Sequence, residues 1–341
     1  MISLQKRYIK GSKPKYCFVL ISQSADEDLE GVFDHILIQD SFVLVAAYAD
    51  DPSNDLCPWL AKGIFSKDDF GDGANDSLRT IVDEIIPELK KDYGEETRFI
   101  LGGYSLGALF SLWAAYNTDI FYGHMCASPS LWYPLWDEYI AENKPLAKRI
   151  YLSLGDKEKK SKNKVLATVE DRVLQQEEQL KKNDIERSVL EFNEGNHFKD
   201  VDIRIANGFN WLVEEHLRIK GPVVHGKGLG HTKKMPTANV DYGKQALPPN
   251  GVYATKVVLE DGRVYKGVTN VGTRPSVDND DLITIETFII DFAEDIYDKT
   301  IELVFGRYLR EIRKFSSLDE LKMQVDKDIE DALRYCITTE E

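Results

Sequence analysis

The sequence predicts an α/β domain, with a mostly parallel sheet and helices on both faces, followed by a small β-barrel domain with a C-terminal helix. Up to about Leu217, short apolar runs alternate with longer amphipathic segments. After Ile219, Gly and Pro punctuate closely spaced β-rich segments, and a helical pattern of apolar residues ends the chain. We therefore expect two domains, at residues 1–219 and 220–341.

The first domain is predicted from strand-sized apolar runs in chain order, at residues 16–21, 42–48, 98–102, 150–154 and 189–192. Between the second and third runs, one helical face is apolar and comprises Leu78, Ile81, Val82, Ile85, Ile86 and Leu89. Strands that are separated by helices pair in parallel. A sheet covered by helices is the expected result.

The second domain is predicted from short strands at 252–258, 264–268, 283–292 and 300–305, a spacing typical of a small barrel or sandwich. Ser316-Ser317 then precedes a helical repeat of apolar residues from Leu318 to Leu333.

Composition places the chain among ordinary globular proteins of a reducing compartment, and we expect a cytoplasmic protein. Its 341 residues carry a formal net charge of -15, which argues against nucleic acid as a partner. No apolar run is long enough for a signal peptide or a membrane helix. The cysteines Cys17, Cys57, Cys126 and Cys336 lack paired short spacing and are expected to be buried thiols.

The sequence 103–107 is a G-x-S-x-G motif placed between an apolar run and a helix-like segment. In that context the glycines permit a sharp strand-to-helix turn that presents the Ser105 hydroxyl as a nucleophile. The Leu106 backbone N–H would then be an oxyanion donor.

A serine hydroxyl needs a base and an orienting acid, which should follow it in the order acid, then histidine. His197 follows the run 189–192 and is the predicted base. Asp156 and Glu158 both follow the run 150–154, so either could be the acid, with a slight preference for Glu158.

The first domain resembles the esterase D and enterochelin esterase-like branch of the α/β-hydrolases. The resemblance depends on residues 85–89, 103–107, 121–123 and 128–132. It implies hydrolysis of an acyl ester through an acyl-enzyme, and it selects no particular ester.

A glycine-rich loop and a short polar segment open the second domain. Backbone N–H groups of such a loop can surround phosphate oxygens, and hydroxyl and amide oxygens suit Mg²⁺. Alone, the same pattern is more typical of an ordinary β-connection. The residues are Gly226, Gly228, Gly230, Pro236, Thr237 and Asn239.

The second domain resembles the riboflavin kinase family in residues 226–239, 249–254, 270–275, 285–288, 291–292, 296–297 and 309–315. The resemblance implies a six-stranded Greek-key barrel that phosphorylates riboflavin to FMN with ATP, leaving ADP. It further implies that Thr237 and Asn239 hold Mg²⁺ and the nucleotide phosphates and that Glu286 is the base. The glycines, Pro236 and Arg310 would complete the cofactor-binding set.

The segment 231–235 and Ser276 depart from the family pattern, and Lys233 and Lys234 add two cations beside the predicted phosphate loop. Bacterial members are often fused to an FMN adenylyltransferase, which would show an early His-x-Gly-His-type motif. His35 is the sole histidine before residue 101, so we expect no FAD synthesis.

The leading hypothesis is a bifunctional enzyme, a riboflavin kinase joined to a serine hydrolase. The alternative is an active hydrolase whose barrel is a non-catalytic flavin- or nucleotide-sensing module. A third interpretation makes both halves binding modules, and the intact candidate residues argue against it.

Overall fold

The computed structural model describes residues 1–23, 29–39, 41–64, 68–183, 185–225, 237–274 and 282–334. The chain divides into two compact units. Unit 1 comprises Met1–Ile36 and Asp40–Leu212, and unit 2 comprises Leu37–Gln39 and Val213–Glu341. The predicted fold class is confirmed for both. The predicted boundary after residue 219 lies a few residues beyond this division and stays a prediction.

Unit 1 contains a seven-stranded sheet with the order β1-β3-β2-β4-β5-β6-β7. Strands β2 to β7 pair in parallel, and β1 pairs with β3 antiparallel at one edge. Residues of β2 and β5 are buried throughout, because helices cover both faces of the sheet. The strands are β1 (Ile2–Lys10), β2 (Tyr16–Ser22), β3 (Phe42–Ala49), β4 (Arg98–Tyr104), β5 (Gly123–Ala127), β6 (Arg149–Gly155) and β7 (Arg187–Asn193).

The helices of unit 1 are α1 (Leu29–Asp34), α2 (Pro52–Asp55), α3 (Ala74–Thr80), α4 (Ile86–Tyr93), α5 (Leu106–Asn117), α6 (Trp136–Glu142), α7 (Val169–Lys182) and α8 (Val201–Leu212). Short 3₁₀ turns lie at Glu158–Lys160 and Leu166–Thr168. Because the parallel strands all point the same way, their carboxyl ends bring the following loops to one edge of the sheet. The candidate residues after β4, β6 and β7 therefore share that edge.

Unit 2 is a closed antiparallel barrel with the strand order β10-β11-β12-β9-β8-β13, followed by helix α9 (Leu318–Arg334). β13 returns to lie beside β10, which gives β10 to β13 the Greek-key order. The strands are β8 (Arg218–Val224), β9 (Ala238–Val240), β10 (Gly251–Leu259), β11 (Val264–Arg274), β12 (Leu282–Ile289) and β13 (Thr300–Arg310).

A row of threonine hydroxyls crosses the barrel from β10 through β11 to β12. Thr269 Oγ1 lies 2.7 Å from Thr255 Oγ1 and 2.9 Å from Thr287 Oγ1. All three side chains are buried. They form a polar row in an otherwise apolar interior, in which the hydroxyls satisfy one another.

Three of the four cysteines, Cys17, Cys57 and Cys126, are buried free thiols, as predicted, and Cys336 lies outside the described residues. Burial raises the pKa of Cys57 and of Cys126 to about 12. None of the described helices is long and apolar enough to cross a membrane.

Candidate active sites

Ser105 occupies a strained turn between β4 and α5. Its backbone has φ 55° and ψ -118°, a combination of angles that residues other than glycine rarely adopt. The turn depends on close backbone approach, because a Cβ on Gly103 would lie 2.2 Å from the Gly107 carbonyl carbon. Such a turn lifts the serine side chain out of the strand, as the predicted strand–turn–helix context requires.

The Ser105 hydroxyl faces the segment that follows β5. Its Oγ lies 3.3 Å from Ser130 Oγ, and the Ser130 backbone N–H donates to the Ser105 carbonyl oxygen over 3.2 Å. Gln23 lies on the other side of the turn, where its side-chain amide donates to the Tyr104 carbonyl oxygen over 2.6 Å. Leu106 is the first residue of α5, so its N–H belongs to the open end of that helix.

His197 and Glu158 are in direct contact. His197 Nδ1 lies 2.8 Å from Glu158 Oε2. Asp156, the other predicted acid, instead accepts the Gly195 backbone N–H over 2.7 Å. Within the described residues, no hydrogen bond joins the His197 ring to Ser105. The structure therefore pairs the predicted base with one of the two predicted acids and brings Ser105 to the same edge of the sheet.

Glu158 is a buried carboxylate held by several donors. Its Oε1 accepts the Ser128 hydroxyl over 2.5 Å and the Gly155 backbone N–H over 2.7 Å. Burial alone would raise the pKa of Glu158, but the hydrogen bond and charge of His197, together with these donors, outweigh burial and lower it to about 2. The carboxylate is therefore ionised at neutral pH.

Two side chains that the sequence analysis missed complete this cluster. Arg204 from α8 is 2% exposed and donates to Glu158 Oε1 over 3.2 Å. Tyr104, the last residue of β4, donates to the His197 carbonyl oxygen over 2.5 Å. Arg204 belongs to no recognisable motif, and Tyr104 occupies the variable position before Ser105 in the G-x-S-x-G motif.

In unit 2, Asn239 and Glu286 lie opposite each other on neighbouring strands. They are Cα partners in the antiparallel pair of β9 and β12. Side chains of directly opposed residues project to the same face, about 5 Å apart at Cβ. Both residues are half-buried. The pairing brings together two predicted site residues that are far apart in the sequence.

Thr237, directly before β9, lines a cavity of about 270 Å³. Ile289, Phe292, Ile296 and Tyr297 form its apolar walls. The Tyr297 ring stacks on His225 with the centroids 3.9 Å apart. A pocket with apolar and aromatic walls and a hydroxyl at one side is suited to a flat ring that carries a polar group.

The predicted phosphate loop cannot be placed. Gly226, Gly228, Gly230 and Pro236 lie outside the described residues, as do Lys233, Lys234 and Ser276.

Arg310, also predicted to bind the cofactor, is held by α9. Its Nε donates to Asp328 Oδ1 over 2.9 Å and its terminal nitrogen to Oδ2 over 2.7 Å. Within the described part of the chain, His, Cys, Asp and Glu side chains form no cluster of three or more that could hold a metal ion.

Residues 213–336 match the family model for flavokinase, or riboflavin kinase. The resemblance that the sequence predicted for the second domain is therefore confirmed.

Curated relatives of the chain are longer than the region they share with it. A bifunctional riboflavin kinase/FMN adenylyltransferase of Haemophilus influenzae is 40% identical over 131 residues, which is 38% of this chain and 41% of that protein. A protein of the same description from Escherichia coli K12 is 42% identical over 117 residues, 34% of this chain and 37% of that protein. The chain thus matches about two fifths of the length of these relatives.

Similar solved structures include an IroE-like serine hydrolase from Shewanella oneidensis. It is 14% identical with a TM-score of 0.49, over 61% of this chain and 76% of that one. The siderophore hydrolase EstA from Aspergillus nidulans is 18% identical with a TM-score of 0.48, over 59% of this chain and 83% of that one.

Proposed function

We propose that the chain is a bifunctional enzyme in which unit 2 phosphorylates riboflavin to FMN with ATP and unit 1 hydrolyses an acyl ester through Ser105. The kinase half is supported by the family match over residues 213–336 and by the Asn239 and Glu286 pair. The hydrolase half is supported by the strained turn at Ser105 and the His197 and Glu158 contact.

In the hydrolase, Ser105 Oγ attacks the acyl carbonyl carbon and passes its proton to His197 Nε2, which gives the proton to the alcohol that leaves. Water, deprotonated by His197, then hydrolyses the acyl-enzyme and releases the acid. Glu158 accepts the Nδ1–H of His197, which fixes the tautomer whose Nε2 is free to take that proton. The Leu106 N–H, at the start of α5, stabilises the oxyanion. Hydrogen bonds of this kind tighten when substrate binds, so the step requires His197 Nε2 to approach Ser105 Oγ in the complex.

The hydrolase proposal is tested with 4-nitrophenyl acetate and the variant Ser105→Ala. We expect the variant to lose esterase activity, because Ser105 is the one serine on the strained turn, and to keep FMN formation within about twofold of wild type. Esterase activity that survives the substitution would remove Ser105 from the nucleophile role.

In the kinase, Glu286 takes the proton of the riboflavin 5′-hydroxyl as that oxygen attacks the γ-phosphorus of ATP. Such a transfer depends mainly on alignment and charge neutralisation, so a single placed carboxylate suffices as base. The cavity beside Thr237 is suited to the adenine ring or the flavin ring.

The donors present fit Mg²⁺ that arrives with the nucleotide. Thr237 and Asn239 supply one hydroxyl and one amide oxygen, and Mg²⁺ in phosphoryl-transfer sites takes its other ligands from phosphates and water. A metal at these two residues would neutralise charge on the phosphate oxygens. Glu286 is the Cα partner of Asn239 across the strand pair, so its side chain lies on the same face of the barrel wall as the Asn239 amide.

The kinase proposal is tested by chromatography of riboflavin and Mg-ATP incubated with wild type and with Glu286→Gln. We expect FMN from wild type, at least about a hundredfold less from the variant because the amide cannot take a proton, and no FAD from either. The variant should keep full esterase activity, so Ser105→Ala and Glu286→Gln are reciprocal controls.

Near-normal FMN formation by Glu286→Gln would exclude Glu286 as the base. If wild type binds riboflavin, measured by quenching of flavin fluorescence, but forms no FMN, the barrel is a flavin-sensing module instead.

A further inference from the structure

Arg204 is a charged side chain in the interior of unit 1. It is 2% exposed and lies on α8, whose other residues from Ile205 to Leu212 are buried against the sheet. A buried guanidinium is costly unless it is paired and hydrogen-bonded. Its contacts therefore indicate why the helix carries an arginine at this position.

One terminal nitrogen of Arg204 contacts the acid of the proposed hydrolase. Nη2 donates to Glu158 Oε1 over 3.2 Å and to the Ser128 hydroxyl. Ser128 in turn donates to the same carboxylate oxygen. With the Gly155 N–H, three donors occupy Oε1 and leave Oε2 to His197 Nδ1.

The other terminal nitrogen reaches the main chain of the base. Nη1 donates to the Tyr104 hydroxyl over 2.7 Å, and that hydroxyl donates to the His197 carbonyl oxygen. The guanidinium also lies over the Tyr104 ring, 5.3 Å from its centroid. One planar group thus connects the carboxylate of Glu158 with the backbone of His197.

We propose that Arg204 is a positioning residue of the hydrolase, which orients Glu158 directly and His197 through Tyr104. The inference rests on the proposed function of unit 1. Arg204 is too buried to touch substrate, so it acts on the rate of the chemical step through these two residues.

The charge of Arg204 also acts on the ionised state of Glu158. The titratable groups that face Arg204 are Glu158 after β6, His197 after β7 and Tyr104 at the end of β4. Burial raises the pKa of Tyr104 to about 12, so its hydroxyl remains a donor. The positive charge of Arg204 opposes protonation of the Glu158 carboxylate, on which the orientation of His197 depends.

The experiment measures kcat and KM for 4-nitrophenyl acetate from pH 5 to 9, at the isosbestic wavelength of nitrophenol. In Arg204→Met we expect kcat at pH 7 to fall about 10- to 100-fold with KM within about twofold, because orientation is lost. The acidic limb of kcat/KM should move up by about one pH unit, because the opposing charge is gone.

Arg204→Lys and Tyr104→Phe separate charge from geometry. Lysine keeps the charge without the planar fork, so the limb should stay near the wild-type pH while kcat recovers only in part. Tyr104→Phe removes the hydrogen bond to His197 without removing a charge. We therefore expect kcat to fall while the acidic limb of kcat/KM stays at the wild-type pH. Arg98→Met is the matched control, because Arg98 lies at the other end of β4 and stacks over Tyr122, and it should leave both kcat and the limb unchanged.

A merely structural role would lower the yield of folded protein without moving the limb. Tryptophan fluorescence therefore accompanies each assay, and if Arg204→Met fails to fold, the lysine and phenylalanine variants decide. The positioning role is overturned if wild type is active and Arg204→Met has the same kcat and pH profile as wild type. It is also overturned if Arg204→Lys and Tyr104→Phe both behave as wild type. Wild type that hydrolyses no ester overturns the proposed function itself.

Discussion

At the scale of single residues, the positions of Ser105, Glu158 and His197 at one edge of the sheet were predictable because each lies in the turn or loop after a strand. A parallel sheet brings such positions to one edge, so their order along the chain is informative. The choice between Asp156 and Glu158 was not predictable from the sequence, because both residues follow β6 and only the direction of each side chain distinguishes them. The structure directs Glu158 to His197 and Asp156 to the Gly195 N–H.

Arg204 carries no signal in the sequence. An arginine within a helix is expected to face solvent, since charged residues are rarely fully buried. Its partners Tyr104, Ser128 and Glu158 lie on three different segments, and no spacing in the chain reports that they meet.

The depressed pKa of Glu158 predicts how acid affects the stability of unit 1. The pKa is about 2 in the folded chain against 4.5 for an ordinary glutamate. The stabilising contribution is therefore complete above pH 4.5 and is lost as the pH falls towards 2. At pH 3 the loss is about 2 kcal/mol of the free energy of unfolding.

Urea unfolding followed by tryptophan fluorescence measures this loss, because all five tryptophans lie in unit 1. Between pH 6 and pH 3, Glu158→Gln should lose about 2 kcal/mol less than wild type, whatever its stability at pH 6. Equal losses in the two proteins would mean that Glu158 is not ionised in the folded state at pH 3.

At the scale of elements, the apolar face predicted from Leu78 to Leu89 is present, but it extends over two helices, α3 and α4, rather than one regular helix. A π-helical turn, Ile81–Ile85, separates α3 from α4. Pro87 has no N–H to donate to the carbonyl four residues earlier, so the regular pattern is interrupted there. Ile81 and Ile85 are still buried. Periodicity predicted the buried face, and the proline marks where the helical register changes.

Two strands of unit 1 that the sequence analysis missed, β1 and β5, contain polar residues that interrupt the apolar pattern. β1 contains Gln5, Lys6 and Arg7 and forms an antiparallel edge, so it lacks the continuous apolar run of its neighbours. β5 begins with Gly123 and His124, yet His124 is fully buried and bonds the Ser111 carbonyl oxygen through Nδ1. Burial lowers the pKa of His124 to about 4, which keeps it neutral in the core.

The threonine row in the barrel predicts a non-additive response to mutation. Thr269→Val would leave Thr255 and Thr287 with buried hydroxyls that have lost their shared partner, at a cost of about 1–3 kcal/mol. Replacing all three threonines with valine removes every orphaned hydroxyl and should restore most of that loss.

Calorimetry of the full chain, with heat inactivation of FMN formation as a second measure, compares these variants. The triple variant should unfold at a higher temperature than Thr269→Val. A triple variant less stable than the single one would show that the three hydroxyls contribute independently.

At the scale of the whole molecule, the change in residue pattern near Ile219 correctly predicted two kinds of architecture in one chain. Alternation of strands and helices belongs to a covered sheet, and short strands between glycines and prolines belong to a barrel. The Asn239 and Glu286 pairing was not predictable from the pattern, because β9 is only three residues long and pairs with the distant strand β12 as well as with its neighbour in sequence, β8.

The closure of the barrel affects when it can fold during synthesis on the ribosome. β13 pairs with both β8 and β10, so the first strand of the barrel has no partner on that side until the last one has been synthesised. Such distant pairing slows folding, because the intervening loop must close before the contacts form. The parallel sheet of unit 1 is complete in the nascent chain once β7 has emerged. The order of synthesis therefore allows unit 1 to fold first, while translation of the barrel continues.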